Sequence, residues 1–163
     1  MDESLSLRLL TPADDAFLAR VYASSRAEEL AVTGWSEEQK ADFCLRQFDA
    51  QSAYYSANYP GAAFQIIERD GESVGRLYVA RWEKEIRIVD ITLLPEFRGS
   101  GIGTKLLRDL QDEARAGAKS LTIHVERFNR ALTLYQRLGF QQVEDKGVYL
   151  LMKWEARPTQ LSS

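Results

Sequence analysis

Leu5, Leu7 and Leu9 alternate with polar residues across Ser4 to Leu10, a period of two that predicts a strand. At Thr11-Pro12-Ala13-Asp14 the habit changes. Threonine can cap a helix, proline fits its first turn, and aspartate suits the positive end of the helix dipole. Phe17, Leu18, Val21 and Tyr22 then recur at helical spacing, to about Ala27. Gly34-Trp35 interrupts, and Ser36 and Gln39 form a capping box that opens a second helix to about Ser56. Pro60-Gly61 stops it. The centre reads as strands: Ala63 to Arg69 and Ser73 to Trp82, joined by the hairpin dipeptide Asp70-Gly71, then Glu85 to Leu94. The period returns to helical at Ile102, Leu106, Leu107, Leu110 and Ala114, with Gly117 as the expected left-handed stop. Leu121, Ile123 and Val125 mark another strand, Asn129 to Leu138 a short helix, and Phe140 to Glu144 and Val148 to Trp154 two last strands.

Strands and helices interleave in this way along 163 residues, a length that suits one α/β domain. We place it at residues 3–156, followed by a polar tail over 157–163. A hydrophobic fraction of 45% and an aromatic fraction of 10% exclude a disordered or low-complexity chain. The 21 Lys and Arg against 24 Asp and Glu leave a net charge of −3, without the basic surplus a nucleic-acid binder carries. No run of about 18 apolar residues predicts a membrane span. The acidic Met1-Asp2-Glu3-Ser4 start does not resemble a secretory signal, so a cytoplasmic protein is expected. The 1 cysteine, Cys44, can form no internal disulfide and belongs to no metal-ligand cluster, so no metal is expected.

The segment richest in chemistry is Leu93-Leu94-Pro95-Glu96-Phe97-Arg98-Gly99-Ser100-Gly101-Ile102-Gly103-Thr104. A strand runs into a glycine-rich turn that opens directly onto an amphipathic helix. Glycines let backbone N–H groups approach a ligand, and the helix start adds unpaired donors and a positive dipole end, a device for holding phosphate. A dinucleotide GxGxxG fails at Thr104 and Leu106, and no Walker loop is present. What fits is Arg-x-x-Gly-x-Gly at Arg98, Gly101 and Gly103.

With that loop the chain resembles the GCN5-related N-acetyltransferase (GNAT) superfamily. Leu121 to Phe140 extends the likeness: strand, Asn129, helix and the ending Tyr135-x-x-Leu138-Gly139-Phe140. The two motifs in order, with the pattern of elements, cover roughly residues 5–154. The resemblance implies a mixed, mainly antiparallel sheet, flanked by helices, that splays where two neighbouring parallel strands part, Glu85–Leu94 and Leu121–Val125. Acetyl-CoA would lie in that wedge. Its pantetheine would meet the backbone of Ile91, Thr92 and Leu93. Its pyrophosphate would sit on Arg98, Gly99, Ser100, Gly101, Ile102, Gly103 and Thr104. Asn129 would help to hold the cofactor arm, although it stands six residues before the tyrosine, one fewer than in many members.

Direct transfer from a thioester to an amine needs an acid for the departing thiolate and a route for the amine proton. The resemblance assigns the acid to Tyr135, against the alternative of core packing. His124 is the sole histidine, with an intrinsic pKa suited to a base; the alternative is a half-buried histidine bonded to a neighbour. Asp90, the second candidate for the base beside a water relay, interrupts an apolar strand, where it could also attract a cationic acceptor or form a buried salt bridge to Arg76 or Arg81. Glu29, Trp35, Gln47, Tyr54 and Tyr55 are candidates for an acceptor pocket, and Cys44 reads as packing. The expected activity is acetylation of a small-molecule amine or amino acid, and a homodimer is compatible with it. Acetylation of a protein N-terminus or lysine, and a non-catalytic acyl-CoA-binding module, are the alternatives.

Overall fold

The computed structural model describes residues 4–156, so the tail over 157–163 lies outside the described residues. The elements run β1 (Leu5–Leu9), α1 (Asp15–Ala31), α2 (Glu37–Asn58), β2 (Ala63–Arg69), β3 (Glu72–Arg81), β4 (Glu85–Leu93), α3 (Ile102–Ala116), β5 (Ser120–Glu126), α4 (Leu132–Arg137), β6 (Gln141–Asp145) and β7 (Tyr149–Trp154). The strands form one 7-stranded sheet in the order β1-β2-β3-β4-β5-β7-β6, the splayed α/β architecture expected. Residues cluster into two units, whose boundaries cut through β3 and β4.

The first unit holds the chain up to Tyr78 together with Asp90–Ser100. β1 and β2 pair antiparallel, from Leu5↔Arg69 to Leu9↔Gln65. The hairpin dipeptide behaves as its chemistry requires, Asp70 at φ 52 and Gly71 at φ 82. The expected first turn of α1 is instead a tight 3-10 turn over Pro12–Asp14. The Asp14 carboxylate causes this, accepting from the Thr11 N–H at 2.8 Å and from two Arg8 nitrogens at 2.8 Å each. Arg8 holds that carboxyl well below the usual carboxylate range. α1 continues past Ala27 because Leu30 closes a core of Leu18, Tyr22, Cys44, Phe48 and Ile66. Each such large apolar side chain contributes about 1.5–3 kcal/mol on burial. Cys44 packs there as expected, and burial pushes its thiol up. The capping box forms, Ser36 Oγ accepting from the Gln39 N–H at 3.1 Å and Gln39 Oε1 from the Ser36 N–H at 2.9 Å.

The second unit holds Val79–Val89 and the chain from Gly101 onward. Ile102, Leu106, Leu107, Leu110 and Ala114 are all buried, so the helical stripe of α3 is its inner face. Its stop differs from expectation. Gly117 stays at φ −91, and Ala118 takes the left-handed position at φ 54. The Lys119 N–H then closes on the Ala114 carbonyl at 2.8 Å and the Ala118 N–H on Arg115 at 3.2 Å, a Schellman pair one residue later than the glycine. α4 is also shorter than expected. Asn129 Oδ1 accepts from the Ala131 N–H at 2.8 Å, a local turn that occupies the first residues assigned to the helix. β7 pairs antiparallel with β5 and with β6. β4 and β5 pair in parallel from Glu85↔Ser120 only to Ile88↔Ile123, although β4 runs on to Leu93 and β5 to Glu126. The pairing ends where the family resemblance puts the splay.

Candidate active site

β4 hands over to α3 through a buried Leu94, a 3-10 turn at Pro95–Phe97 and the loop Arg98–Gly101. Gly99 and Gly101 stand at φ 73 and φ 89, conformations that a residue with a side chain resists. A Cβ placed on Gly99, Gly101 or Gly103 would meet nothing within 4 Å. The glycines therefore leave open space in front of the backbone. The first α-helical bond of α3 runs from Lys105 N–H to the Gly101 carbonyl at 3.0 Å, so the N–H groups of Ile102, Gly103 and Thr104 have no partner inside the helix. Ile102, buried, anchors this end. Ser100 Oγ donates to the Phe97 carbonyl at 2.6 Å and Arg98 Nε to the Leu93 carbonyl at 3.3 Å, which ties the loop to the strand it leaves. An arrangement of this kind can cradle an anion.

Sequence reasoning passed over Gly75. A Cβ there would stand 2.3 Å from the Thr92 carbonyl oxygen, so β3 can approach the end of β4 only with glycine at this position. The signal was a glycine inside an otherwise apolar strand, which marks close backbone approach. Ile91, Thr92 and Leu93, half-buried, form the strand segment that Gly75 admits.

Asp90 is not free to serve as a base. Its carboxylate accepts from Arg76 Nη2 at 2.7 Å, Arg76 Nε at 3.3 Å, Thr92 Oγ1 at 2.6 Å and Tyr55 Oη at 3.0 Å. Four donors occupy the lone pairs that an incoming proton would need. Arg76 is buried at 3% exposure and gives another N–H to Gln51 Oε1 at 2.8 Å. Of the two salt-bridge partners considered for Asp90, the structure selects Arg76; Arg81 pairs with Glu113.

His124 lies on β5 with Nδ1 at 3.3 Å from Arg87 Nη1. Arginine only donates, so Nδ1 accepts and the ring proton sits on Nε2. The one basic nitrogen of this tautomer is already engaged. Burial, then the Arg87 and Lys146 charges, hold the imidazole below its ordinary pKa. Arg87 is itself fixed by Thr122 at 2.7 Å and by Glu85 at 3.0 Å, and Thr122 is buried. Tyr135 is 5% exposed, its ring 5.7 Å from that of Phe140. Asn129, six residues earlier and ahead of α4, is exposed.

Within the first unit α1, α2, β2 and β3 enclose an open cavity of about 570 Å³. Of the five acceptor-pocket candidates, only Tyr55 lines it. Glu29 instead pairs with Arg26, and Trp35 packs edge-on against Phe43. The wall of α2 is a stripe at helical spacing, Leu45, Phe48, Asp49, Ser52, Tyr55 and Ser56.

Residues 60–142 match the family model of the acetyltransferase (GNAT) domain. The chain is 30% identical over 148 residues to the uncharacterised N-acetyltransferase YjgM of Escherichia coli K12, covering 87% of this chain and 85% of that one. It is 30% identical over 103 residues to the thialysine N-epsilon-acetyltransferase of Mus musculus, covering 56% of this chain and 61% of that protein. The chain thus spans less than two thirds of that second relative. Among solved structures, the PaiA N-acetyltransferase of Thermoplasma acidophilum in complex with coenzyme A superposes with a TM-score of 0.70 at 18% identity, over 94% of this chain and 99% of the other. At that identity the likeness shows the fold alone. The chain belongs to the GNAT acetyltransferase family. Among the described residues, no helix is long and apolar enough to cross a membrane.

Proposed function

We propose that the chain is an acetyl-CoA-dependent N-acetyltransferase that moves an acetyl group directly from the thioester to the amine of a small molecule. The observation that carries this is the open glycine cradle at the head of α3, continuous with the strand segment Ile91–Leu93. Its N–H groups suit a pyrophosphate, and the backbone of Ile91, Thr92 and Leu93 suits the amides of a pantetheine arm. The thioester supplies the activated acetyl group. The amine nitrogen forms the new C–N bond, the C–S bond breaks, and Tyr135 gives its phenolic proton to the sulfur. Asn129 helps to hold the cofactor arm.

The amine proton leaves through solvent. With Asp90 saturated and His124 Nδ1 turned to Arg87, neither side chain offers a free basic site. His124→Ala is therefore expected to keep a pH–rate limb set by the acceptor's own ionisation. A wild-type limb at an imidazole-like pKa that is absent from His124→Ala would restore the histidine as base. The depressed pKa also bears on stability, because the unfolded state binds the proton first as pH falls. The histidine's contribution is thus full above its ordinary value near 6.5, and is lost as pH drops toward the lower folded value.

Gly103→Val tests the cradle itself. The position has open space and no positive φ, so the side chain enters the ligand's space without backbone strain. Acetyl-CoA at about 100 times its dissociation constant should stabilise the wild-type chain by roughly 2.7 kcal/mol. In Gly103→Val most of that thermal shift should vanish while the unliganded melting point holds. Unchanged affinity for acetyl-CoA would overturn the assignment.

A further inference from the structure

We infer that the cavity in the first unit receives the acceptor, and that this acceptor is a cationic amine with a ring-sized apolar body and no carboxylate. The inference rests on the acetyltransferase reading and narrows it. A volume of about 570 Å³ falls in the range of small-molecule sites. Its deep corner is aromatic. The rings of Phe64 and Tyr78 meet edge-to-face at 4.9 Å, and those of Tyr55 and Tyr78 at 5.8 Å. Phe48 and Tyr78 are buried at 8% and 5% exposure, so these walls are fixed by packing. Such a corner takes a flat apolar group and offers ring faces to a cation.

The charges in the lining have one sign. Asp15 on α1 and Asp49 on α2 are exposed, and among the described residues no lysine, arginine or histidine lines the cavity. The Arg76 guanidinium lies against the Tyr78 ring at 5.0 Å but is committed to Asp90 and Gln51. An ammonium group is attracted here. A carboxylate finds no cationic partner among the described lining residues and meets two like charges. Tyr55 supplies the link to the chemistry. It lines the cavity, and its hydroxyl donates to Asp90, the residue immediately before the segment proposed for the pantetheine.

Two compounds that differ only in the carboxylate, 2-phenylethylamine and L-phenylalanine, separate this reading from amino-acid acetylation. The expected result is a kcat/KM at least about tenfold higher for 2-phenylethylamine. The amino acid is the weaker base and has the larger free-amine fraction, so ionisation works against this preference. Ser52→Trp, at an exposed position on the cavity face of α2, should cut that kcat/KM at least about tenfold and leave the acetyl-CoA thermal shift intact. Equal or better use of L-phenylalanine overturns the inference, as does indifference to Ser52→Trp. Absence of any acetyl-CoA shift in the wild-type chain fails the acetyltransferase reading instead. Calorimetric titration of 2-phenylethylamine into wild type and Ser52→Trp then decides the cavity alone: binding confined to wild type upholds it, and no binding overturns it.

Discussion

Asp90→Leu is expected to cost about 3–5 kcal/mol of folding stability, and adding Arg76→Met is expected to restore most of it. The Arg76 side chain is 3% exposed and that of Asp90 11%, with Nη2 and Oδ2 2.7 Å apart. Without the carboxylate the guanidinium keeps, among the described residues, Gln51 and Tyr78 as partners, and remains charged at 3% exposure. Removing both members instead exchanges a desolvated pair for apolar volume, which such sites tolerate. Domain stabilities run to about 5–15 kcal/mol, so the single variant would stand near the edge of folding at ambient temperature. Urea denaturation of the two variants checks this at constant m-value. A single variant as stable as wild type, or a double variant no better than the single, would show that Asp90 does not compensate Arg76.

That pair marks the limit of what the sequence discloses. A carboxylate in the run Ile88-Val89-Asp90-Ile91 signals a buried partner, because an unpaired charge there is too costly. Choosing Arg76 over Arg81 requires the register of β3 against β4, and residue spacing does not contain it. The same holds for His124. Strand alternation placed it opposite Leu121, Ile123 and Val125, but the Arg87 guanidinium facing Nδ1 comes from a parallel neighbour 37 residues away. The cradle was legible for the opposite reason. Every part of it is local: strand, glycine turn and helix start follow one another in the chain, so backbone physics alone specifies it. Gly117 shows a local rule failing by one position, where the Ala114 to Lys119 bond sets the helix end and leaves Ala118 left-handed. The acceptor cavity needs α1, α2, β2 and β3 together, and of its lining only Tyr55 was among the residues named from the sequence.

Tyr135→Phe is expected to lower kcat by about 10²-fold or more while leaving the acetyl-CoA thermal shift and the fold in place. The substitution deletes one oxygen. The ring of Tyr135, 5% exposed and packed at 5.7 Å and 67° against Phe140, is retained by phenylalanine. A loss of that size corresponds to about 2.7 kcal/mol of transition-state stabilisation, in the range of a missing proton donor. The thiolate that departs from the acetyl group would then take its proton from water. The pH profile adds a readout that mere repacking would not move. A phenol of pKa about 10 must be protonated to donate, so the wild-type kcat should fall at high pH, and this limb should be absent from Tyr135→Phe. If only the Michaelis constant changes, Tyr135 binds without donating. If kcat and its high-pH limb survive in the phenylalanine variant, the proton reaches the sulfur by another route and Tyr135 is a packing residue of α4.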